Sequence, residues 1–280
     1  MSKVYEIVTK KITSKLREGC VPWHLPWKKK FELQRNLKSG TIYKGINTFL
    51  TLMEEYNSPY WLTFKQVQEM GGKVKSKERA TPIVFWKFIN KEDEETGEDK
   101  SFPLLRYYTV FNVVQCDNIK GLPKIDYKVI DFNPIEKAEL IISNMVNRPP
   151  IKYQKQKAYY NPNLDTVNMP LKESFNNEEE YYSTLFHEIV HSTGHKARLN
   201  RKDSSHNSYS KEELIAEIGS SFLCAEAGIT KTFDNSAAYI NEWLKKLGSD
   251  HRLIIQASSA AQKAVEYILG TNNETEVNNP

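Results

Sequence analysis

Long apolar runs are missing from this 280-residue chain. A membrane-crossing helix needs about 18 or more consecutive apolar residues, and no segment approaches that length. Cysteine is scarce as well: Cys20, Cys116 and Cys224 lie far apart and are odd in number. They make neither a disulfide framework nor a C-x-x-C zinc knuckle, so the expectation is a protein of the reducing cytoplasm with buried thiols. The N-terminus lacks the continuous apolar stretch of a secretion signal. Instead Val4, Ile7, Val8, Ile12 and Leu16 fall on one face of a helix over residues 3–18. What remains, 39% hydrophobic and 26% charged residues, describes an ordinary globular protein. The length suggests two domains.

The most informative stretch is His187-Glu188-Ile189-Val190-His191, an H-E-x-x-H pattern inside a strong helix signal. Side chains four apart on a helix share a face about 5–6 Å apart, so His187 and His191 can bind one Zn²⁺. Glu188 can then point at a water on that metal as the catalytic base. The apolar residues Leu185, Phe186, Ile189 and Val190 suit a helix buried behind a metal cleft. Asn176 or Asn177 can cap the helix, Glu178, Glu179 and Glu180 suit its positive end, and Gly194 suits its C′ position. The plainer alternative is a packed helix with two core histidines.

A catalytic zinc site takes a third protein ligand and keeps a position open for water. The next helix signal, from Tyr209 onward, carries Glu213 and Glu217 one turn apart. We read Glu213 as the third ligand and Glu217 as the carboxylate that holds a ligand histidine's N–H. Glu217 and His195 are alternative ligands, and Glu213 could simply cap its helix through Ser210-x-x-Glu213. A metzincin places a histidine at position 197, where this chain has Ala197. His206 and Tyr209 lie between the ligands in sequence and are candidate oxyanion donors.

The two halves differ in charge. Residues 1–130 hold 23 Lys and Arg against 15 Asp and Glu, although Glu92 to Asp99 is a local acidic segment. Trp23, Trp27, Trp61 and Trp86 also fall in this half. Cations interleaved with aromatics suit single-stranded nucleic acid, where phosphates meet Lys and Arg and bases stack on rings. A domain with core tryptophans and solvated lysines reads equally well. Pro22-Trp23 and Pro26-Trp27 force an extended stretch that offers a stacking platform or a clamp, followed by Lys28, Lys29 and Lys30. Lys73, Lys75, Lys77 and Arg79 alternate, so an extended segment would present all four on one face. Thr63 caps a helix over Phe64 to Met70. Thr81 to Asn90 and Leu104 to Val114 read as hairpin strands. Residues 120–133 read as a linker. Beyond it come a helix at about 135–147, short strands at Ile151–Tyr153, Ala158–Asn161 and Asp165–Met169, and, after the metal helices, helices near 236–247 and 250–269. An edge strand beside such a metal site would bind an extended polypeptide.

The motifs together resemble the ArdC-type antirestriction proteins of plasmids and other mobile elements. The resemblance rests on Pro22-Trp23-x-x-Pro26-Trp27, Tyr43-Lys44-Gly45-Ile46-Asn47 and Phe111-Asn112-Val113-x-Gln115 in the first half. In the second half it rests on Tyr159-Tyr160-Asn161-Pro162, Met169-Pro170, the run from His187 through Thr193-Gly194-His195, and Glu212-Glu213-Leu214-x-Ala216-Glu217. It implies an α+β protein of two domains. Residues 1–125 form a basic, Trp-rich domain that binds single-stranded DNA, and possible double-stranded DNA. Residues 133–270 form a zincin-like metallopeptidase domain with one Zn²⁺, and the polar tail 271–280 is disordered. The implied function is antirestriction or DNA protection. The alternatives are a regulatory zinc protease that cleaves a specific repressor or nuclease, and a DNA-binding protein whose metal is purely structural.

Overall fold

The computed structural model describes residues 3–24, 33–92, 99–123, 134–201, 208–229 and 237–271. Trp27, Lys28, Lys29, Lys30, His206, most of the expected linker and residues 272–280 lie outside these. The chain divides into two compact units. Among the described residues, the first takes 3–12, 33–92 and 99–123, the second 13–24, 134–201, 208–229 and 237–271. By their contacts, residues 13–24 group with the second unit.

Helix α1 (Lys3–Arg17) spans that division and buries Val4, Val8, Ile12 and Leu16, the stripe its spacing requires. The first unit continues with β1 (Arg35–Asn36), α2 (Ile46–Leu52), β2 (Tyr60–Thr63), α3 (Phe64–Glu69), β3 (Lys73–Val74), β4 (Thr81–Glu92), β5 (Asp99–Asn112) and β6 (Cys116–Asp117). Its main sheet runs β1-β2-β5-β4, with β1 parallel to β2 and the other pairs antiparallel. The β4–β5 hairpin is longer than its apolar residues suggested, pairing from Thr81↔Val110 to Glu92↔Asp99. Tyr43, Trp61, Ile83 and Val110 form one core cluster, and Leu62, Val67 and Val113 another. Thr63 does cap α3, in a reciprocal capping box with Gln66. Asn47 on α2 lies against the edge strand β4. Its amide donates to Val84 O at 2.8 Å and its Oδ1 accepts Val84 N–H at 2.9 Å.

The four alternating cations remain exposed but do not share one extended face. Only Lys73–Val74 is strand, and a turn follows in which Lys77 takes a left-handed φ of 66°. Lys75 Nζ donates to Val114 O at 2.8 Å.

The second unit holds α4 (Pro134–Asn144), β7 (Ile151–Lys152), β8 (Tyr159–Asn161), β9 (Thr166–Asn168), α5 (Glu178–Ser192), α6 (Ser208–Ala227), α7 (Ala237–Ser249) and α8 (Leu253–Leu269). Its sheet runs β7-β9-β8, with β7 parallel and β8 antiparallel to β9. Helix α6 packs between α5 and α8. Leu185, Phe186, Ile189 and Val190 of α5 and Leu214, Ile215, Ile218 and Leu223 of α6 are buried. A Cβ at Gly219 would stand 2.8 and 2.9 Å from the Val190 methyls, so glycine sets how closely α5 and α6 approach. No described helix is long and apolar enough to cross a membrane.

Trp23 corrects the expectation of a stacking platform. It sits in a 3-10 turn (Pro22–His24) of the second unit and is fully buried. Its ring meets Trp243 edge to face at 5.8 Å, and its indole N–H donates to Tyr239 Oη at 3.2 Å. With Pro22 unable to continue a helix, the chain turns and the ring folds into the core. A buried ring stacks on no base.

Candidate metal centre

Helix α5 starts at Asn177, whose side chain accepts Glu180 N–H at 2.8 Å. At its other end Thr193 keeps a right-handed backbone and Gly194 is not left-handed, so glycine is not there for a C′ turn. A Cβ at Gly194 would lie 3.2 Å from Arg201 Nη2, and glycine leaves room for that guanidinium. Arg201 donates to Val190 O at 3.0 Å, to Thr193 Oγ1, and to Glu212 at 2.6 and 3.3 Å. It thereby ties the end of α5 to the start of α6.

His187, His191 and Glu213 converge. The two Nε2 atoms are 3.1 Å apart, and each is 3.7 Å from a Glu213 carboxylate oxygen. Two ligand atoms held tetrahedrally at about 2.1 Å from one ion stand about 3.4 Å apart, so this set fits a divalent cation without rearrangement. Among the described residues it is the one His, Cys, Asp and Glu group of that kind. Because α6 begins at Ser208, Ser210 lies inside the helix and Glu213 is not its capping residue. The hydrogen bond from His187 and the imidazoles beside it hold the Glu213 carboxyl below its usual range, against its burial.

Glu188 is buried, and its Oε2 accepts Tyr160 N–H at 2.7 Å. Tyr160 is placed from below by a buried arginine. Arg198, 2% exposed, contacts the Asp165 carboxylate and donates to Ser192 O at 2.7 Å, Asn147 O at 3.0 Å and Tyr160 Oη at 3.3 Å. This hub docks the β8–β9 turn on the end of α5. Glu212, next to Glu213, is placed to orient His191: its Oε1 is 3.5 Å from His191 Nδ1. Burial favours the uncharged form of Glu212, but hydrogen bonds from His191 and Arg201 outweigh it and lower its pKa. Burial likewise favours neutral His191, yet Glu212, Glu188 and Glu213 outweigh it and raise the pKa. Glu217 does not line the cavity.

That cavity, of about 670 Å³, opens between β8 with its preceding loop and helices α5 and α6. His195 lines it but is not in the ligand set. Its Nδ1 accepts Ala197 N–H at 3.2 Å and lies 3.6 Å from Asp165 Oδ2. Tyr209, 75% exposed, also lines it, and the nearby Glu213 carboxylate raises its pKa. Glu212, Arg201, Asp165 and Arg198 were not foreseen as site residues. Only the adjacency of Glu212 to Glu213 in the quoted motif hinted at one of them.

An H-E-x-x-H helix met by a glutamate from the following helix, beside a small edge-stranded sheet, defines a zincin-like metallopeptidase domain, and that family matches residues 136–260. Residues 2–111 match the N-terminal domain of anti-restriction factor ArdC. The chain belongs to the ArdC family of antirestriction proteins. The metal-free crystal structure of antirestriction ArdC protein from the R388 plasmid is similar at 36% identity and TM-score 0.76, over 95% of this chain and 97% of that one. Its Mn(II)-bound structure is similar at 35% identity and TM-score 0.75, over 98% and 100%. The uncharacterized protein y4eC of Sinorhizobium fredii is 30% identical over 98% of this chain and 94% of its own. A DNA primase TraC of Escherichia coli is 33% identical over 95% of this chain, which spans 27% of that relative's length.

Proposed function

We propose that this chain is an antirestriction protein of a mobile element, acting in the cytoplasm, with a DNA-binding first unit and a zinc-dependent peptidase site in the second. The observation that carries the reading is the convergence of His187, His191 and Glu213 beside a buried Glu188, in a chain related over nearly its whole length to ArdC. A divalent cation held by His187, His191 and Glu213 would polarise a carbonyl oxygen and, if zinc, would acidify water toward a pKa of about 7. Glu188 is the proton carrier. Tyr160 N–H holds its Oε2, leaving Oε1 to accept a proton from water and return it to the leaving nitrogen. Glu212 and Arg201 keep His191 aimed at the cavity. The Tyr209 hydroxyl, near the Glu213 carboxylate, is the candidate donor to the oxyanion. Lys73, Lys75, Lys77 and Arg79 supply exposed positive charge for single-stranded DNA.

The test compares plasmid transfer into a restricting host with wild-type protein and with Glu188→Gln. Protection that falls with Glu188→Gln, while DNA affinity and metal content are kept, supports peptidase action on a nuclease or repressor. Full protection by the variant would assign the function to DNA binding with a structural metal. Elemental analysis of the purified chain decides between zinc and manganese.

A further inference from the structure

One wall of the cavity is β8 and the loop before it, and that loop is wound around a single side chain. Buried Asn168 accepts Gln154 N–H at 3.1 Å and donates to the carbonyls of Lys155 at 3.1 Å and Lys157 at 2.7 Å. Three backbone contacts to one amide fix the path of the loop, so Lys157 reaches the cavity on a held backbone. Lys155 is drawn aside, its Nζ over the Tyr159 ring at 5.7 Å. Lys157 is exposed and has no acidic partner among the described residues.

The charge balance of the cavity singles Lys157 out. Glu212 is paired with Arg201. A divalent cation offsets Glu188 and Glu213, and with the histidines neutral the charge left over is that of Lys157. β8 is the end strand of its sheet, with its Tyr160 N–H held by Glu188, and an extended polypeptide lying along it would pass alternate side chains.

We propose that Lys157 is a specificity residue that reads a carboxylate on a polypeptide substrate, close to the residue whose carbonyl enters the metal site. This rests on the peptidase reading above. The carboxylate is an Asp or Glu side chain or the substrate's own C-terminus, and both offer Lys157 the same oxygen pair.

The test uses the full-length Glu188→Gln protein loaded with Zn²⁺, so that nothing is cut. Fluorescein-labelled acidic decapeptides, their Asn/Gln isosteres and C-terminally amidated versions are titrated by anisotropy at low salt. The expected result is about fivefold tighter binding of the acidic peptide with a free terminus than of its amidated isostere, the upper range for an exposed ion pair. Lys157→Gln should abolish that preference, whereas Lys152→Gln, outside the cavity, should keep it. An acidic preference that is absent, or that survives Lys157→Gln, overturns the proposal. A preference kept by the isostere with a free terminus assigns the carboxylate to the terminus, and one kept by the amidated acidic peptide assigns it to a side chain. A single-stranded oligonucleotide that displaces the peptide, and itself depends on Lys157, would make this a phosphate site and also overturn the proposal. A separate digest of mixed peptides by the wild-type protein tests the underlying reading. No cleavage there defeats peptidase action, while the anisotropy still decides what Lys157 binds.

Discussion

Glu212→Gln isolates the charge that orients His191. The substitution keeps the shape of the side chain and both polar positions. In the native protein Glu212 Oε1 stands 3.5 Å from His191 Nδ1 and 2.6 Å from Arg201 Nη2, with Oε2 3.3 Å from Arg201 Nε. Glutamine retains one acceptor, but its NH₂ group turns a donor toward other donors and Arg201 loses its counter-charge. Removing a carboxylate behind a metal-binding histidine weakens the metal by about 10–100-fold. The 3.5 Å contact to His191 is long for a hydrogen bond, which places this case near tenfold, or about 1.4 kcal/mol. Competition with a chromogenic chelator, run with Zn²⁺ and with Mn²⁺ at one fixed pH, measures it. Glu217→Gln in parallel should lose less affinity than Glu212→Gln, because Glu212 is the carboxylate 3.5 Å from His191 Nδ1. Unchanged affinity in Glu212→Gln, or the larger loss in Glu217→Gln, would refute the assignment of roles.

Trp23→Ala should cost about 3–5 kcal/mol in urea denaturation, as for a large aromatic removed from a core, and leave oligonucleotide affinity per folded molecule unchanged. Gly219→Val forces α6 away from Val190. It should destabilise by about 1–3 kcal/mol and weaken metal binding in the same chelator assay, since Glu213 rides on α6. Asp165 is buried against its charged form, but Arg198 and Tyr160 outweigh that and hold its pKa below 3.8. Its stabilising effect is thus complete above the ordinary carboxylate pKa and is lost as pH falls through the lower folded value. The Tm gap between wild type and Asp165→Asn should be widest near neutral pH and close on acidification below the ordinary carboxylate range.

The parts of this protein that depend on near neighbours in sequence were legible in it. Asn177 and Thr63 cap their helices because a short polar side chain before an apolar periodic run has little else to do. The placing of His187 and His191 on one face follows from helical pitch, and Glu213 from the next helix returning. The rotation of α6 against α5 was not legible. One face of α6 carries both Glu213 and Glu217, yet the neighbouring position, Glu212, meets His191 because Gly219 lets the helices close to a particular angle. Nor could the sequence say on which side of the chain Trp23 would lie. An extended Pro-Trp stretch buries its ring only if α7 supplies Trp243 and Tyr239, more than two hundred residues away. Nothing in the local sequence marks Arg198 and Arg201. Their value lies in carbonyls and carboxylates brought together by the fold.

Asn47 has a consequence for how the protein behaves in a crowded cell. Strand β4 ends its sheet, and a free strand edge recruits other strands into aggregates. The Asn47 amide already fills the outward donor and acceptor of Val84, standing in for one residue of a missing strand. A stray strand sliding along β4 meets that plug partway and cannot complete its ladder. A single amide on α2 thus gives the β4–β5 hairpin colloidal protection at its edge.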